Sequence, residues 1–227
     1  MAAATPLLAS EADLLASLRG APDYVAYVAA AKMIQPSIAG LIQAKAPLTA
    51  PIPVASAAIV AGDLADADAI RAGLTQDQIP GAGPGDLAIL DAMLAAAHGR
   101  SDGPTLDRLV ELGGKGEGAS RQRAQSAAAF LYALGAPMNP DARAAFAGFD
   151  LALTRLAPAR LLILDGAADA GLKGETALVA LSIAEDGGAS GPAVADRARI
   201  VRALARAGLV HNAQAFAIEG LAQLQSR

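Results

Sequence analysis

The chain has 227 residues, a formal net charge of −4, no cysteine, no tryptophan and two histidines; 54% of it is hydrophobic but only 3% aromatic. Zero cysteine excludes a disulfide framework, a thiolate metal site and a cysteine nucleophile, and evenly spread charge with few aromatics leaves no polyanion-binding surface, so nucleic acid is not expected as a partner. About a quarter of the residues are alanine, the best helix former because it loses no side-chain entropy, and the alanines come in short blocks cut by glycine and proline.

Residues Met1 to Ser10 carry no basic residue ahead of their apolar stretch and read poorly as a signal peptide. The expected location is cytoplasmic, or periplasmic should the chain be a fragment of an exported protein. Ser10, with Asp13 three residues on, predicts the cap of a first helix ending at Gly20. Pro22 suits the first turn of a helix over Asp23–Ile34, and Pro36 starts another that runs to about Ala46. Pro47–Pro53 is too proline-dense for a helix and precedes Val54–Ala61. Gly20 to Gly62 is apolar, but Lys32, Pro36, Lys45, Pro47, Pro51 and Pro53 divide it, leaving no run near the ~18 residues a membrane span needs. Asp63 caps a helix to Gly73, and Thr75–Gly85, with Pro80, Gly81, Gly83 and Pro84, reads as a linker.

Beyond the linker, Asp86 caps a helix to Ala97 that Gly99 stops. Pro104 opens Thr105–Leu112, Gly113–Gly118 breaks it, and Ser120 caps a long helix to Leu134. Asn139-Pro140 is a strong start, with Asn as cap and Pro at the first helical position. Pro158 does the same for Ala159–Ala170; Glu175–Glu185, Ala193–Ala207 and Asn212–Gln225 complete the series. In the last of these, Ala213, Phe216, Ala217, Gly220, Leu221 and Leu224 make one apolar face. No segment alternates β-branched and polar residues, so the predicted class is all-α. The expected architecture is a solenoid-like stack of short antiparallel helical hairpins, with an irregular helical bundle as the alternative. It divides into sub-domains 1–79 and 86–227, or forms one continuous domain.

The final hairpin, residues 193–225, resembles the tetratricopeptide helix–turn–helix unit. In that family a turn glycine precedes a small residue of the second helix by five positions, with another small residue seven further on. Gly208, Ala213 and Gly220 keep that spacing, and Leu221 follows where an apolar residue belongs. Gly171, Ala177 and Ala184 echo it more loosely. The resemblance implies stacked helical hairpins.

Few residues offer chemistry. His98 stands at a helix C-terminus, where an imidazolium suits the dipole, and His211 beside Asn212 reads as a turn residue. Asp63, Asp66 and Asp68 lack the glycine and closing glutamate of a calcium loop, and neither histidine sits in a zinc pattern. No metal, cofactor or catalytic set is therefore expected. Gly113–Ser120 lacks the order of a phosphate loop, although Arg121 and Arg123 in the following first turn oppose the helix dipole and invite an acidic partner. Arg199, Arg202 and Arg206, at i, i+3 and i+7 beside Arg197, form a row that is either a solvated face or a docking stripe for an acidic protein. The arginine-over-lysine bias also fits a GC-rich bacterial genome. Tyr24 and Tyr27, at i and i+3, are either packed or an interface anchor.

These features predict a non-catalytic interaction or scaffold module, such as a subunit of a larger bacterial assembly, with a protein partner and room for self-association. The alternative is an α-helical enzyme or small-ligand-binding regulator that works with carboxylates and arginines. A third reading uses the apolar helices of Gly20–Gly62 at a membrane surface or between copies.

Overall fold

A computed structural model describes residues 15–18, 20–74, 82–152, 158–188 and 191–225. Among these residues there is no strand, and the protein is all-α. Residues 15–18 are helical. They are followed by α1 (Tyr24–Gln43), α2 (Pro51–Ala61), α3 (Leu64–Ala72), α4 (Pro84–Ala97), α5 (Gly103–Lys115), α6 (Gly118–Ala133), α7 (Pro140–Phe146), α8 (Pro158–Asp169), α9 (Lys173–Asp186), α10 (Val194–Arg206) and α11 (Val210–Gln225). The predicted cap at Ser10 with Asp13, and the Thr75–Gly81 part of the linker, lie outside the described residues.

Local capping chemistry sets several helix starts. Asp23, Asp63, Asp102 and Asn139 each accept a backbone N–H three residues on, at 2.8–3.2 Å. Asp86 works differently from the expectation: it sits in the first turn of α4 and accepts the Gly83 N–H at 2.9 Å, so Gly83 is the cap residue. Likewise Glu117, not Ser120, precedes α6.

Three predicted breaks are helical. Pro36 lies inside α1, which joins the two helices expected on either side of it. The reason is packing: Ala31, Ile34, Ile38 and Leu41 form one buried stripe running past Pro36, whose own ring faces outward. The joined helix has 20 residues, and by length and composition alone it meets the requirement for crossing a bilayer, where the sequence divided by prolines and lysines offered no such run. α2 begins at Pro51 because prolines at the first positions of a helix forfeit no intrahelical bond. α5 continues through Gly113 and Gly114 to Lys115. Gly113 is there for space: a Cβ would stand 2.9 Å from both Gln125 Cγ and Phe149 Cζ.

Consecutive helices pair as hairpins, including α1/α2, α5/α6, α8/α9 and α10/α11. At the centre is α4, apolar on nearly every side, with Leu87–Leu90 and Ala92–Leu94 all buried. It contacts α2, α3, α5, α6 and α11. The last helix thus returns to the middle of the chain, where Ser56 on α2 donates to the Gln225 side chain. One connected apolar core runs from Leu15 to Leu224. The α8/α9 hairpin stands at the edge of this arrangement, packed on α10.

Candidate functional site

The arginine row of α10 is spoken for within the chain. Arg199 donates through Nε to Asp165 at 2.9 Å, and Arg206 pairs with Asp169; both carboxylates belong to α8. The i, i+7 spacing on α10 meets an i, i+4 spacing on α8, so the pairs act as two straps between the helices. Arg202 instead lies over the Tyr132 ring, 5.8 Å from its centroid.

The neighbouring Arg197 is the most deeply placed charge among the described residues, only 2% exposed. Its guanidinium donates to Glu219 at 3.1 Å and to the Phe216 carbonyl at 3.2 Å, and it stacks on the Phe216 ring at 4.6 Å. Two glycines make room for it. Gly191, at φ +67°, lies where any Cβ would stand 2.2 Å from the guanidinium, and a Cβ on Gly220 would meet the Arg197 stem at 2.6 Å and the Phe130 ring at 2.7 Å. Sequence reasoning treated Arg197 only as a neighbour of the row. The signal was present: Arg197 shares its helical face with Ile200, Val201 and Leu204, all buried.

Tyr24 and Tyr27 belong to the same region. Their rings stack with centroids 6.4 Å apart, and both are half-buried against the core. Burial pushes the Tyr27 hydroxyl up to about 12. Burial also raises Tyr24, with the Glu219 carboxylate adding to the effect and Arg197 opposing it. The Tyr24 hydroxyl therefore lies within electrostatic reach of the Arg197–Glu219 pair.

The other predicted site residues separate. Arg123 pairs with Asp86 at 2.8 Å and fastens α6 to the start of α4, whereas Arg121 is exposed. His98 ends α4 as expected, and its Nε2 also lies 2.9 Å from Asp68 on α3. His211 contacts Gln214 at 3.3 Å.

Beside His98 is a polar cleft of about 380 Å³ lined by Asp68, Arg71, Asp91, Leu94, Ala95, Arg100, Asp102 and Thr105. Most of its charge is already matched. Arg71 forks onto both Asp91 oxygens, one of them at 3.0 Å, and Asp102 accepts from the Thr105 N–H and hydroxyl. Among the described residues no group of three His, Cys, Asp or Glu side chains could hold a metal ion.

Among the described residues, large apolar side chains are exposed at Val25 (77%) and Met33 (80%) on α1 and, as a group, on the α8/α9 hairpin. Leu162 and Ile163 on α8 are 67% and 50% exposed, and Leu178 and Leu181 on α9 are 70% and 61% exposed. The opposite faces are buried, through Leu164, Ala167 and Ala168 on α8 and Thr176, Ala180 and Ile183 on α9. Nothing in the sequence distinguished these leucines from core leucines. No family model, curated protein or solved structure matches the chain.

Proposed function

We propose that this chain is a non-catalytic helical interaction module whose docking surface is the outer face of the α8/α9 hairpin. The observation that carries the reading is the exposure of Leu162, Ile163, Leu178 and Leu181 on that one hairpin. Burying such a side chain is worth about 1.5–3 kcal/mol, so four left in water on adjacent helices are a reserve that a partner can use. Of the arginines expected to grip an acidic partner, Arg199 and Arg206 hold α8 in place behind this face. Stacked helical hairpins of the tetratricopeptide kind suit the role, and the final hairpin has the close packing they need: Gly208 turns at φ +78°, while Ala213 and Leu221 are fully buried. The test is a pull-down from a cell extract of the native organism, with Leu178→Gln/Leu181→Gln as the control bait. A partner held by the wild-type chain and lost from the variant supports the reading. Equal capture by both baits contradicts it.

One observation favours a second reading, that of a small-ligand-binding regulator. The polar cleft brings five charged side chains together, and Arg100 there is exposed with no ion pair among the described residues. An anionic metabolite would pair with it. Thermal stabilisation by an anionic metabolite, lost in Arg100→Ala, would establish this reading, and its absence across a metabolite panel would remove it.

A further inference from the structure

We infer that the α8/α9 face receives a basic amphipathic helix from another protein. This rests on the interaction-module reading and adds the chemistry of the partner. Two neighbouring antiparallel helices leave a furrow between them, and a third helix can lay an apolar ridge along it. The inner side of this hairpin is already covered by α10, so the outer side is where packing can continue.

Charge sets the kind of helix. Glu175 precedes Leu178 by three residues and Glu185 follows Leu181 by four, so carboxylates bracket the leucines along α9. Both glutamates are exposed and have no ion pair among the described residues. The remaining acids of the hairpin are occupied: Asp165 by Arg199, Asp169 by Arg206 and Asp186 by Arg160. Lys173, the nearest lysine, has its Cε 3.3 Å and its Nζ 3.6 Å from where a Cβ on Gly208 would lie, so it leans toward the α10–α11 turn. The face is therefore apolar at its centre and negative at its ends. A helix with leucines between lysines or arginines complements it, and the chain's net charge of −4 favours encounter with such a partner. A second copy does not complement it. A two-fold axis between Leu178 and Leu181 would set Glu175 of one copy against Glu185 of the other.

The experiment uses the full chain and three labelled synthetic helices of about 18 residues, long enough to hold helical structure. They share one leucine–alanine face and differ only in flanking lysine, glutamine or glutamate. Fluorescence anisotropy is expected to rank lysine first, with glutamine about three- to tenfold weaker and glutamate weaker again, the differences shrinking as salt rises. Glu175→Lys/Glu185→Lys is expected to reverse the order, and Leu178→Gln/Leu181→Gln to abolish binding of all three. Equal binding of the three peptides, unchanged by charge reversal but lost in the leucine variant, overturns the basic partner and leaves the docking face intact. Binding of none, or binding indifferent to the leucine variant, overturns both. A dimer in sedimentation that the leucine variant dissolves overturns the basic partner in favour of a second copy.

Discussion

Replacing Arg197 with methionine should destabilise the protein through the charge it leaves behind more than through lost volume. Methionine keeps most of the apolar stem, so the space made by Gly191 and Gly220 stays largely filled. What disappears is the partner of Glu219, the hydrogen bond to the Phe216 carbonyl and the stacking on the Phe216 ring. Breaking a buried ion pair from one side costs about 3–5 kcal/mol. The Glu219 side chain is 24% exposed and recovers part of its hydration, which lowers the expected loss to about 2–3 kcal/mol. For a chain of this size that is a fall in Tm of about 5–10 °C. Urea unfolding followed by far-UV circular dichroism would measure it, since the chain has no tryptophan. The double variant Arg197→Met/Glu219→Gln should recover at least half the loss, because it removes the orphaned charge. A single-variant loss below about 1 kcal/mol, or a double variant no better than the single, would refute the reasoning.

Three further outcomes follow from the packing. The Tyr27 hydroxyl is held near 12 in the folded chain against 10.0 in the unfolded one, and Tyr24 is raised too, so the folded state keeps protons that the unfolded state releases. Stability should be fully present below pH 10, fall between about 10 and 12, and fall less steeply in Tyr27→Phe; an unchanged alkaline slope in that variant would count against the assignment. Gly220→Ala should destabilise because its Cβ would collide with Arg197 and Phe130, whereas Gly166→Ala on α8, with nothing near it, should stabilise by up to about 1 kcal/mol. Calorimetry showing the same sign for both would contradict these contacts. Pro36→Ala should raise stability by about 1–2 kcal/mol, since it restores a helical hydrogen bond on the outer side of α1; a loss would mean the ring is packed.

What the sequence disclosed depended on how local each cause was. Asp63 and Asn139 bond to backbone three residues away, so their capping roles could be read directly. Pro36 and Gly113 could not be read as helix interior, because what tolerates them is a core stripe in one case and the approach of Phe149 in the other. Arg199 and Arg206 looked like a free row because Asp165 and Asp169 lie 34 and 37 residues earlier, on a helix whose placement no spacing reveals. The leucines of α8 and α9 posed the opposite problem. Periodicity marks an apolar side chain without saying whether any neighbour reaches it, and here α10 covers only one side of the hairpin.

Amide hydrogen exchange on the full chain, with and without the lysine-flanked helical peptide, tests the docking face most directly. Protection confined to α8 and α9, around Leu162–Ile163 and Leu178–Leu181, is the predicted result. Protection at the Asp68–Arg100 cleft or along α1, with α8 and α9 unchanged, would contradict it.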